Sequence, residues 1–213
     1  MVFSLSNRQD EKLEQVYEKA MKELSDFFGM DWTQNPPQIF IVDSREMINK
    51  LKGHETNSWV VGWAEGRNIF LLANEKMATE SSHKQRSDEQ YAALLKHELC
   101  HAFIFAVIRD YTGIRWLEEG IAICVSGQNK FQQHPTEFKG FLNPSDSEKE
   151  IYKEAGFVIE LLINKFGKQK LLDLLSQLKG VKTEEKFNQR FETIYGFPPT
   201  YEEFNKMLLN KSD

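Results

Sequence analysis

Within "KHELCHAFIFAVIRDYTGIRWLEEGIA", residues 96–122, two histidines and several glutamates interrupt an otherwise apolar run. His97-Glu98-Leu99-Cys100-His101 has the pattern His-Glu-x-x-His. On a helix, residues four apart stand one above the other, so His97 and His101 can present both imidazoles to one ion while Glu98, about 100° round, flanks the same place. The chain has only five histidines. At that frequency the pattern arises by chance on the order of 1 % of the time in a sequence of this size. A catalytic zinc takes three protein ligands and keeps a fourth position open. Downstream, Trp116-Leu117-Glu118-Glu119-Gly120 supplies two candidate carboxylates, Glu118 and Glu119, and Cys124 adds a thiol on the same stretch. Glu98, next to the first imidazole, stands where a general base toward an activated water is needed. The plainer reading is an amphipathic helix with a few titratable side chains on one face.

The metal reading requires a helix under residues 97–101 and a second one folded back on it. Ser87 with Gln90 three residues later marks a capping box, and the apolar pattern then runs to about Ile108. Gly113 breaks it, and Trp116 to Val125 resumes it. Upstream, residues 10–28 carry apolar side chains at helical spacing, closed by Gly29. "QIFIV" (38–42) reads as a strand leading, through Asp43 and Glu46 at capping-box spacing, into a helix ending at Gly53. "SWVVGWAEGRNIFLLA" reads as a hairpin turning near Glu65-Gly66, and 74–88 as a polar surface loop. After the loop from 127 to 148, helices are expected at 148–166, 168–179, 183–194 and 200–210. The expected fold class is α+β: an α/β lobe over 1–112 with a small mixed sheet and the helix carrying the histidines, and an all-helical lobe over 113–213, together one domain with a cleft between the lobes.

Composition narrows the partners. The chain has 213 residues, 40 % of them hydrophobic and 28 % charged, enough for a sizeable core. A net charge of −5 with no basic run argues against nucleic acid and leaves small molecules, peptides or proteins. Cys100 and Cys124 are too few for a disulfide framework and are expected as buried free thiols. No stretch reads as a membrane span or a signal peptide, so the sequence as given reads as cytoplasmic, although a secreted chain trimmed of its leader would read the same. His54, His83 and His134 lie in polar segments and are expected to face solvent.

His-Glu-x-x-His followed by a Glu inside Trp-Leu-x-Glu-Gly-x-Ala resembles the gluzincins, the thermolysin-type and aminopeptidase-type zinc peptidases, and especially their compact peptidase MA-like members. "YKEAGFVIELLINKFGKQKLLDLL" and "EKFNQRFETIYGFPPTYEEF" are similar to later helices of that family, so the resemblance covers most of the chain. It implies a thermolysin-like fold, Zn²⁺ held by His97, His101 and Glu119, Glu98 as general base, and a peptide or protein substrate. It also implies that Tyr152 donates a hydrogen bond to the developing oxyanion. Glu118 becomes a neighbour of the ligand, and Asp110 or Glu118 a possible support for a ligand imidazole. The family often has a further acidic residue on the helix of the third ligand, where this chain has Ile123 and Ser126. "GWAEG" (62–66) faintly resembles the segment by which aminopeptidases hold a free amino group, a role that would fall to Glu65; an ordinary hairpin turn is the alternative. The strand at 68–73 is expected to form the cleft's rim, where an extended peptide could add. The rival function, from a different class, is a catalytically inactive or latent gluzincin-like binding or regulatory domain.

Overall fold

Asp10 caps α1 (Glu11–Phe28) by accepting from the Leu13 amide, and Ala20, Leu24 and Phe28 turn one face of the helix inward. These residues belong to a computed structural model that describes residues 6–110, 112–142 and 148–209. Residue 111 at the expected lobe boundary, residues 143–147 of the expected long loop and residue 210 of the last expected helix lie outside the described residues.

The first half forms a three-stranded mixed sheet with helices against it. β1 (Gln38–Val42) is followed by α2 (Arg45–Lys52), then by β2 (Gly62–Glu65) and β3 (Asn68–Leu72). The strand order is β1-β3-β2, with β1 parallel and β2 antiparallel to β3. The β2–β3 hairpin is as expected, but β3 is the central strand and cannot be the rim. Its two backbone edges are spent on β1 and β2, because the α2 crossover carries the chain two strand positions from β1 and the hairpin then returns β3 into the gap. The strand with an edge open among the described residues, on the cleft side, is β2.

Two local expectations also change. Ser44, not Asp43, caps α2, accepting from the Met47 amide. The polar segment 74–88 contains a 3-10 turn (Asn74–Lys76) and a short helix, α3 (Met77–Glu80). Met77 is fully buried there, a single anchor that a mostly polar stretch conceals.

α4 (Asp88–Ile108) starts at the expected capping box, with Ser87 and Gln90 bonded reciprocally. It is apolar on almost every side, and Leu95, Leu99, Cys100 and Phe103 are inaccessible to solvent. Such a helix sits in the middle of a fold rather than on it. By length and composition α4 could also cross a membrane, but 61 % of its apolar window is buried inside the fold. α5 (Arg115–Ser126), α6 (Glu148–Phe166), α7 (Lys168–Ser176), α8 (Glu184–Tyr195) and α9 (Tyr201–Leu209) complete the chain. An aromatic cluster holds the last helices together. Trp116 of α5 meets Phe141, Phe187, Phe191 and Phe204 at centroid distances of 5.3, 5.8, 6.3 and 5.9 Å.

Candidate metal centre

The chain leaves α4 through Arg109 and Gly113, both at positive φ (58° and 73°), and re-enters a helix at Arg115. Between them, Glu118 Oε1 accepts from the amide and hydroxyl of buried Thr112 at 3.2 and 2.6 Å, and Thr112 Oγ1 accepts from the Ile114 amide. That small network starts α5 without a side-chain cap and folds it back along α4. It also uses Glu118, which leaves Glu119 facing the histidines.

α5 then crosses α6 at unusually short range. A Cβ on Gly120 would lie 2.8 Å from the Ala155 carbonyl oxygen, and one on Gly156 would lie 2.4 Å from Ile123 Cγ2. The Gly after Glu119 is therefore a packing requirement. It lets α6 approach closely enough for Tyr152, one turn earlier, to line the same cleft as His97.

The expected residues meet. His97 Nε2 and His101 Nε2 are 3.2 Å apart, and Glu119 Oε2 lies 3.3 Å from the first and 3.7 Å from the second. Despite these distances, Glu119 Oε2 and His97 Nδ1 are buried atoms with no hydrogen-bond partner among the described residues. A tetrahedral ion with ligand bonds of 2.0–2.1 Å has ligand atoms about 3.3–3.4 Å apart. The observed triangle has nearly those edges, so these three residues fit a zinc ion. Glu98 is close as well: one ligand atom each of His97, Glu98 and His101 lies within 4.8 Å of the others.

The electrostatics separate the two carboxylates. Burial opposes ionisation of Glu119, but the His101 and His97 rings outweigh it and hold the carboxyl well below the usual range. Burial pushes Glu98 the other way, raising its carboxyl; the two imidazoles counteract this and Glu119 adds to it. Glu119 is thus the carboxylate that stays ionised beside the two rings, and Glu98 the more readily protonated of the pair. His101 is raised to about 9: burial lowers it, and Glu119, Glu98 and Glu118 more than compensate.

Tyr152 lies with its ring 6.4 Å from that of His97, centroid to centroid. Burial raises its hydroxyl, with Glu119 and Glu98 adding to the effect and Arg115, which lines the same cleft, opposing it. Arg115 was not singled out in the sequence; its only signal is its position just ahead of the Trp-Leu-Glu-Glu-Gly run.

Other expectations fare differently. Asp110 is bound to Lys182 at 2.7 Å and Glu118 to Thr112, and neither reaches His97 Nδ1. Ser126 bonds to the Ile123 carbonyl, so the α5 positions where the family often has an acid offer no support to an imidazole. Glu65 is bonded to Trp63 Nε1 and Lys52, and is not among the groups lining the cleft. Cys100 and Cys124 are free thiols, and burial raises the Cys124 thiol to about 12. His83 is not a solvent-facing residue: it is half-buried, with Nε2 donating to the Trp59 carbonyl at 2.9 Å.

The cleft has a volume of about 510 Å³. Its helical wall carries His97, Glu98, His101, Glu119 and Tyr152; its other wall is β2 and the loop at 53–60. The loop wall was missed because nothing in its composition distinguishes it. Arg45 organises it, its guanidinium donating to Thr56 Oγ1 and to the carbonyls of Asn57 and Ser58, while its Nε binds the Glu80 carbonyl.

No family model matches the chain. Two curated proteins are similar over parts of it. The mouse enzyme UDP-GlcNAc:betaGal beta-1,3-N-acetylglucosaminyltransferase 7 is 24 % identical over 117 residues, 52 % of this chain and 30 % of that protein. The DNA-binding protein MutS2 of Pyrococcus furiosus is 27 % identical over 176 residues, 79 % of this chain and 28 % of that protein. The chain thus spans less than a third of the length of either.

Proposed function

We propose that this protein is a zinc-dependent peptide hydrolase of the gluzincin type, with His97, His101 and Glu119 as metal ligands. The observation that carries this reading is the near-equilateral triangle of two imidazole nitrogens and one carboxylate oxygen, with edges of 3.2, 3.3 and 3.7 Å. A zinc ion held there supplies a Lewis acid able to activate water near neutral pH. Glu98 accepts the proton of the attacking water and returns it to the leaving amine, a task suited to a carboxyl raised by burial. Tyr152, on the same wall of the cleft, donates its hydrogen to the carbonyl oxygen as negative charge develops. The open edge of β2 offers main-chain groups to an extended peptide along the cleft.

The mixed sheet followed by helices is an α+β arrangement. Neither partial relative contributes to the reading. With a net charge of −5 and no basic run in the sequence, nucleic acid is not a proposed partner.

Glu98→Gln is expected to keep one equivalent of zinc and to lower turnover of a mixed peptide library by about 10²–10⁴-fold. Full activity in that variant would refute the mechanism. Zinc at one equivalent with no chelator-sensitive cleavage by the unmodified protein would make the chain a metal-containing binding domain instead.

A further inference from the structure

We infer that Gly62 is a positioning residue: the bare backbone of β2 at this point is what allows the Glu98 carboxylate to lie beside the two imidazoles. The kinetic part of this inference rests on the reading of Glu98 as the base; the geometric part does not.

The chain has twelve glycines, and eight of them sit at positive φ in turns and caps. Gly62 is not one of these, and its extended conformation is open to any residue. Nothing about the backbone asks for glycine there. Space does: a Cβ would lie 2.7 Å from Glu98 Oε1 and 3.0 Å from both Cδ and Cγ. Gly120, Gly140 and Gly156 are also crowded, but by groups away from the imidazole pair: Ala155 and Ile159 at the first, Glu150 at the second, Ile123 and Asn129 at the third. At Gly62 each of the three nearest atoms belongs to the carboxylate arm of Glu98.

This difference decides what an added methyl would do. Backbone cannot yield cheaply, whereas a glutamate arm can rotate. A side chain at 62 is therefore accommodated by turning Glu98 aside, at modest cost to the fold and large cost to its placement. The same contact explains the side from which Glu98 is held. α4 fixes its Cα, its carboxylate lies within 4.8 Å of both imidazoles, and the strand backbone lies against the arm. β2 thus confines the base as well as bordering the cleft.

Gly62→Ala is expected to fold, to bind one equivalent of zinc, and to show in its crystal structure a Glu98 carboxylate moved by about 1 Å or more, a displacement that can cost on the order of 10²-fold in rate. A carboxylate that stays in place would overturn the inference, whether or not the protein hydrolyses peptides. Where hydrolysis is measurable, kcat should fall 10–100-fold, by that same estimate, with KM changed by less than about threefold. In a Glu98→Gln background the substitution should add no further loss; an equal additional loss would mean that Gly62 acts through something other than Glu98. If Gly62→Ala fails to accumulate, Gly62→Ala with Glu98→Ala removes all three crowding atoms and should restore a folded protein. Failure of that double variant to fold would also overturn the inference. A wild-type protein that cleaves nothing would sink the hydrolase reading while the crystallographic comparison still decided the role of Gly62.

Discussion

On the helical wall of the cleft, α5 crosses α6 with Gly120 against the Ala155 carbonyl and Gly156 against Ile123, distances that leave no room for a methyl group. On the opposite wall, the loop at 53–60 is held by side-chain hydrogen bonds: the Arg45 guanidinium reaches two backbone carbonyls and a hydroxyl, Asn49 accepts from Thr56, and His83 donates to the Trp59 carbonyl. One wall is fixed by close packing and the other by polar contacts near solvent. The triangle of His97, His101 and Glu119 belongs to the packed wall, where a shift of an ångström would undo it. The loop that borders the cleft belongs to the wall that can adjust. Packing transmits strain because it cannot yield by small amounts, whereas hydrogen bonds at a surface exchange with water at low net cost.

The comparison predicts a ranking of effects. Gly120→Ala overpacks the helical wall and should destabilise the protein by about 1–3 kcal/mol. It should also weaken zinc binding, because the adjacent Glu119 must move with the helix; denaturant unfolding and a zinc titration measure the two effects. A variant with unchanged stability would mean that the α5–α6 contact yields readily, and the contrast between the walls would fail.

Arg45→Ala should have a smaller effect, about 1 kcal/mol, because the carbonyls it leaves behind can turn to water. Its zinc stoichiometry should stay at one, and in peptide assays KM should rise several-fold with kcat little changed. Loss of zinc in this variant would show that the loop wall supports the ligands after all.

The smallest effect concerns His83, which fastens the same loop through the Trp59 carbonyl. Burial lowers its pKa from 6.5, and the bond to Trp59 offsets this only in part. The unfolded chain therefore takes up this proton first as the pH falls. Stability is complete above about 6.5 and is lost as the pH drops from there through the lower folded value. The thermal midpoint should fall between about pH 7 and pH 5.5 and do so less steeply in His83→Gln. Equal slopes would remove His83 from the account of the loop.

Much of this protein could be read locally. The capping box at Ser87, the four-residue spacing of His97 and His101, and the breaks at Gly113 and Gly167 each depend on residues a turn or two apart. Helix ends and helix faces are set over that range. The buried Met77 was missed because one apolar residue in a polar stretch carries no period. Arg45 was missed because its partners lie 11 to 35 residues away and share no pattern with it.

The sequence by itself determined that an imidazole pair would face one way from a buried helix and that a carboxylate would follow on the next. It did not determine which carboxylate. Glu118 and Glu119 differ by one residue, and Thr112 binding the first is what leaves the second to the histidines. Nor could it place β3 between β1 and β2, or show that Gly62 is opposite Glu98. These are decided by contacts between residues far apart in the chain, which exist only once the sheet, α4 and α5 have packed against one another.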